Sequence, residues 1–265
     1  MNATKRSSLI GIASSLAGTI FLAVVMVISL TAPAVANDQQ EARQLVEKAK
    51  FTLDNFMGDN HMGAFRDLLS KAQGVLIAPE LYKGAFIVGA SGGNAVLLVR
   101  DQKTGKWSEP AFYTIGGASF GLQIGGQASE VILLAMTDRG ATSFLGNSLK
   151  LGGDAGVAAG PVGIGVSAAT ANMSADILSF ARSKGLYGGI SLDGAVVAVR
   201  SGLNEAYYGK AVSPADILVR HDVSNPQAAA LIRDLSESAA QKSAAREETH
   251  PTAMSGELHG GYRGW

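Results

Sequence analysis

Two serines stand in the glycine setting that many hydrolases use for a nucleophile: Gly89-Ala90-Ser91-Gly92-Gly93 and Gly117-Ala118-Ser119-Phe120-Gly121. Such an elbow works when a strand, a sharp turn and a helix push the hydroxyl out towards a base. Here Gly92-Gly93 leads into another apolar run, Ala95–Val99, and Ser119 lies in a period-2 pattern that puts its hydroxyl on a sheet face. The four histidines, His61, His221, His250 and His259, are poorly placed as bases and show no metal-ligand spacing. Asp154 and Asp193 sit beside glycines as turn residues and form no calcium loop. Neither phosphate-cradling pattern, G-x-G-x-x-G or G-x-x-x-x-G-K-[ST], occurs. The chain has no cysteine, which excludes disulfides, thiol catalysis and cysteine–metal sites. These residue types point to a binding protein without a cofactor or metal rather than to an enzyme.

Charge is balanced over 265 residues, with 22 basic and 22 acidic side chains. That gives no basic field suited to nucleic acid, so an anionic partner has to be held by a local patch. The N-terminus reads as a secretory leader: Lys5 and Arg6 precede an apolar or small stretch from Leu9 to Leu30, and Ala34-Val35-Ala36 offers a small-x-small cleavage site. An uncleaved anchor is the alternative, since such a stretch is long enough to span a bilayer. The leader predicts an exported chain in the periplasm or at the envelope. The expected division is 1–36 signal peptide, 37–243 folded domain and 244–265 disordered tail.

The elements that must position any site follow from periodicity. Ala42, Leu45, Val46, Ala49, Leu53, Phe56 and Met57 recur at helical spacing over 38–57, and Met62, Phe65, Leu68, Leu69 and Ala72 form a second stripe. Val75–Ala78, Ala85–Val88, Ala95–Val99, Val131–Ala135 and Ala195–Val199 read as strands buried on both faces. Asp101 to Lys106 reads as a hairpin turn leading to Trp107, and Thr137 to Gly146 as a short helix. Ser213-Pro214-Ala215-Asp216 predicts a capped helix start, and Asn225-Pro226 another.

Glycine is the commonest punctuation, with 33 copies. Ala118, Phe120, Leu122 and Ile124 alternate with Ser119, Gly121, Gln123 and Gly125. The device recurs over Val162–Ala169 and Leu186–Asp193. Strands with one apolar and one nearly bare face predict a strongly coiled, mostly antiparallel sheet of α+β class, a partial barrel flanked by N- and C-terminal helices.

At this level of detail the sequence resembles the SYLF domain family. The blocks are Arg100-Asp101, Thr104-Gly105, Trp107-Ser108, Pro110-Ala111-Phe112, Ile115-Gly116-Gly117, Lys150-Leu151-Gly152, Ala158-Ala159-Gly160-Pro161, Ser183-Lys184-Gly185-Leu186-Tyr187, Ser191-Leu192-Asp193-Gly194 and Ala206-Tyr207-Tyr208-Gly209-Lys210, in order over roughly residues 40–220. The resemblance implies a non-enzymatic domain that binds membrane lipids, phosphoinositides in eukaryotic members, with actin binding in some fungal ones. Ile164 stands where many members carry a basic residue. The leader points to a bacterial exported member, for which anionic phospholipid is the expected partner. The expected contact is helix 38–57 laid into the headgroup boundary by its apolar stripe, with Arg43, Lys48 and Lys50 near lipid phosphates. Arg66, Lys71, Lys83, Arg182 and Lys184 are further candidates. A structural or protein-interaction module, pairing with its own copy or with an envelope protein, is the alternative.

Overall fold

The computed structural model describes residues 37–85, 88–120, 125–167, 169, 174–183, 186–188 and 192–248. Residues 1–36, where a leader is expected, Lys184 and the segment 249–265 lie outside the described residues.

The first helix, α1, covers residues 37–58. Its stripe Ala42, Leu45, Val46, Ala49, Leu53 and Phe56 is buried against the sheet. This corrects the expected role of the helix, because the apolar side chains meant for lipid are core. Taking such a side chain out of water contributes about 2 kcal/mol, and the sheet already collects that gain. Arg66 donates to the carbonyls of Met57 and Asp59 at 3.1 and 2.7 Å, closing the end of α1. A 3-10 turn, Asn60–Met62, leads into α2, Gly63–Leu69. Phe65 of α2 meets Phe56 of α1 and Phe180 edge to face, both at 5.3 Å, and so pins the helices to the sheet.

Among the described residues, nine strands make one curled half-barrel. They are β1 Gly74–Ala85, β2 Val88–Val99, β3 Ala111–Phe120, β4 Gly125–Ala135, β5 Ser148–Lys150, β6 Val157–Ala159, β7 Ile177–Ser183, β8 Leu186–Gly188 and β9 Val196–Val199. The order is β5-β9-β3-β2-β1-β4-β7-β6, with β8 beside β7. Every pairing is antiparallel except β6 with β7. Alternate residues of β1 serve two cores. Val75 and Ile77 face the layer of α1 and α2, while Leu76 and Ala78 face a second layer containing Phe144, Leu149 and Ile217. That double burial explains the unbroken apolar runs.

Of the expected strand Ala85–Val88, Ala85 ends β1 and Val88 begins β2, while Phe86 and Ile87 lie outside the described residues. One expected strand is corrected. Val162–Ser167 alternates in sequence yet forms a turn. Gly163 and Gly165 adopt φ of 149° and 74°, the amide of Gly163 bonds to the His61 carbonyl, and Ile164 is 75% exposed.

β1 is not regular. Its register with β4 shifts between Ala78 and Leu81, and that with β2 between Ile77 and Tyr82. Pro79 has no N–H to give a ladder, so the strand bulges at Pro79-Glu80. The Glu80 carbonyl then comes down on β2, where a Cβ at Gly93 would overlap it. At the adjacent Gly92 a Cβ would meet open space.

The remaining helices are α3 Asp138–Ser143, between β4 and β5, and α4 Ser201–Tyr208, α5 Pro214–Leu218 and α6 Ala229–Glu248 after β9. The predicted start at Ser213 is a full capping box with Asp216. α4 is an addition to the sequence reading, and α6 runs past the expected domain end at 243. Asn204 of α4 accepts the Phe112 amide at 2.9 Å where β9 no longer pairs with β3. The Tyr208 hydroxyl donates to the Pro110 carbonyl at 2.6 Å. Beside it Glu109 accepts from Ser224 Oγ at 3.1 Å, and burial pushes its carboxyl above the usual carboxylate range.

Two measurements follow from these contacts. Gly93→Ala should cost about 2 kcal/mol through overpacking, lowering the melting temperature by roughly 4–8 °C, whereas Gly92→Ala should leave it unchanged. Glu109 holds its proton more tightly folded than unfolded, so stability falls as pH rises from the ordinary carboxylate range through the raised value. Glu109→Gln should therefore melt higher than wild type at pH 7 and equally with it below pH 4 in calorimetry.

Candidate functional site

Ser91 lies inside β2, opposite Lys83 of β1 and Gly117 of β3, and its hydroxyl reaches the Gly117 carbonyl at 3.4 Å. Ser119 lies inside β3 opposite Gly89. Neither serine stands at a strand-to-helix turn, so the elbow geometry is missing at both. His61 sits on the 3-10 turn with its Nδ1 3.1 Å from Asp59 Oδ1. Among the described residues no three histidine or carboxylate side chains are grouped to hold a metal.

The candidate cations divide into groups. Lys48 of α1 pairs with Glu80 at 3.0 Å. Lys50 pairs with Asp54 at 2.7 Å and with Asp234 of α6 at 3.0 Å, and the hydrogen bond to Asp54 is the main reason its amine is held above the usual lysine range. Arg66 caps α1. Arg182 of β7 pairs with Glu130 of β4 at 2.8 Å and Asp59 at 3.5 Å, and Glu130 also takes the Asn55 amide at 2.7 Å. These four spend their charge inside the protein, fastening α1 to the sheet and to α6. Arg43, Lys71 and Lys83 are exposed and make no ion pair with a described residue.

Register decides which of these share a surface. Lys71 follows α2 and precedes β1, at one end of the sheet. Lys83 is near the far end of β1, opposite Ser91 of β2 and Gln127 of β4. Ser183 at the end of β7 donates to the carbonyl of Ala128 at 3.1 Å, and Ala128 stands opposite Tyr82. Lys83, Arg182 and Ser183 thus come to one end of the sheet, and Lys184 follows next in sequence. Tyr82, 57% exposed, belongs there too, a residue missing from the sequence candidates. Its signal was its place beside Lys83 in sequence. Phe51, 64% exposed on α1, also stays outside the core, with Lys50 Nζ 5.8 Å from its ring. Among the described residues no helix is long and apolar enough to cross a membrane.

The Ysc84 family, described as Las17-binding protein actin regulator, matches residues 116–238, from β3 into α6. The SH3 domain-containing YSC84-like protein 1 of Bos taurus is 32% identical over 177 residues, 66% of this chain and 51% of that protein. The mouse protein of the same name, from Mus musculus, is 34% identical over 161 residues, 60% of this chain and 46% of its own. LAS seventeen-binding protein 3 of Saccharomyces cerevisiae is 31% identical over 147 residues, 54% of this chain and 32% of its own. The chain spans about half or less of the length of the curated relatives it matches. The yeast protein is named for binding LAS seventeen, and the other two for an SH3 domain. By these matches and its curled glycine-rich sheet, the chain belongs to the Ysc84/SYLF domain family.

Proposed function

We propose that this chain is a non-enzymatic module that docks on anionic phospholipid at the cell envelope through the sheet end carrying Lys83. One observation carries the reading. Residues 81–100, 110–129 and 177–192 contain no aspartate or glutamate, although acids bound each stretch on both sides. The β1–β2, β2–β3, β1–β4, β4–β7 and β7–β8 pairings bring these stretches to the same end of the sheet. Beyond Glu80 and Glu130, which Lys48 and Arg182 already engage, that end offers Lys83 with no carboxylate from its own strands. Tyr82 adds an amphipathic ring of the kind that settles at a membrane boundary. A lysine at an anionic surface contributes about 1 kcal/mol. The leader, with Lys5, Arg6 and Ala34-Val35-Ala36, supports export to the envelope, where phospholipid is the abundant anionic surface.

A protein partner is the competing reading, because one relative is named for binding LAS seventeen and the family as an actin regulator. Flotation of the chain from Asn37 onward decides between them. Recovery is expected with vesicles containing phosphatidylglycerol at low salt and not with phosphatidylcholine alone. Lys83→Glu should weaken it by about 2 kcal/mol, roughly 30-fold, and Lys71→Glu, at the opposite end of the sheet, should not. Equal recovery on neutral vesicles, or indifference to Lys83→Glu, would sink the proposal. Co-sedimentation with filamentous actin in the absence of vesicle binding would favour the protein partner.

A further inference from the structure

The bulge in β1 does more than interrupt a ladder. It lifts Pro79-Glu80 towards α1 while β2 beneath is reduced to Gly92-Gly93, and a groove of about 290 Å³ opens between helix and sheet. This is near the lower end of the volumes that hold small ligands. Gly92 forms part of its floor, with nothing within 4 Å of where a side chain would start. Tyr82 stands at the side, with more than half its surface open.

We propose that this groove is a binding site for a neutral sugar, a function separate from membrane docking. Its charges cancel in pairs. Lys48 meets Glu80 Oε2 at 3.0 Å, and Arg200 meets Glu41 Oε1 at 3.6 Å, with the Asn94 amide on the same oxygen at 2.8 Å. A phosphate or sulfate group would face two carboxylates whose cations are already engaged, and would be repelled. Yet hydrogen-bonding capacity remains. A carboxylate accepts about four bonds and an ammonium donates three, so Glu41, Glu80 and Lys48 each keep places unfilled by these contacts. Gln44, also on the wall, offers a donor and an acceptor. Hydroxyl groups, each donor and acceptor at once, match such a mixed wall. The exposed face of Tyr82 suits the C–H side of a sugar ring. An extended peptide is disfavoured, because β1 and β2 are hydrogen-bonded on both edges and leave no edge for strand addition.

Saturation-transfer NMR on the full chain with maltotriose and tri-N-acetylchitotriose tests the site. Transfer to the ring protons of at least one sugar is expected. Gly92→Phe, which fills the floor without touching the core, should abolish it while the melting temperature holds, and Tyr82→Ala should weaken it several-fold. No transfer from either sugar to wild type, or undiminished transfer with Gly92→Phe, would overturn the inference. Inositol hexakisphosphate bound by wild type and lost in Gly92→Phe would overturn it as well, by showing an anion site. Vesicle flotation of Gly92→Phe should match wild type. If flotation is lost together with sugar binding, the two surfaces are one and the separate site is refuted.

Discussion

β1 is hydrogen-bonded on both edges and, over Val75–Ala78, buried on both faces, so it tolerates no free choice of residue on any side. Only at Pro79-Glu80 does it leave the ladder, and there the neighbouring strand has to be glycine, because the displaced Glu80 carbonyl occupies the place of a side chain at 93. Much else depends on this accommodation. The bulge re-aims the outer half of β1, presents Glu80 to Lys48 of α1, and sets Tyr82 and Lys83 on the exposed end of the sheet. A bulged strand also twists more sharply, which suits a sheet that curls into a half-barrel.

Around that strand the helices divide the labour between packing and charge. α1 spends its apolar stripe on the core and its cations on fastening, with Lys48 to β1, Lys50 to α6, and Asn55 to the Glu130–Arg182 pair that joins β4 to β7. Ion pairs of this half-exposed kind contribute little each, and it is the buried stripe that sets which face of α1 meets the sheet. A helix so committed has no apolar face to offer a membrane. The surface we propose for the membrane is then the sheet end, where strand register gathers acid-free sequence from three separate parts of the chain.

Much of the architecture was legible in the sequence, since it rests on local rules. Double-faced burial left continuous runs such as Val131–Ala135, the Asp101–Lys106 turn carried its own capping residues, and Ser213 with Asp216 spelled out a helix start. What escaped depends on distant partners. Val162–Ser167 alternates like a strand, but the positive φ of its glycines and the bond from Gly163 to His61 belong to a loop held by the 3-10 turn before α2. α4 is short and its buried Asn204 reads as polar until its partner, the Phe112 amide, is known. The candidate site was legible in residue type only. Sequence marks Lys48, Lys50, Arg66 and Arg182 as cations, but not that carboxylates and carbonyls far along the chain consume them. The resemblance over residues 40–220 named the family, and it could not say which face of the domain is free.

The central claim is that the Lys83 end of the sheet, and not the α1 face, meets the membrane. Because the chain has no cysteine, a single spin label placed by Ala90→Cys, beside that end, or by Phe51→Cys, on α1, reports each surface alone. On anionic vesicles the label at 90 should lose access to a water-soluble nickel relaxation agent and gain access to oxygen, while the label at 51 stays as it is in solution. The opposite pattern, with 51 immersed and 90 unchanged, would contradict the account.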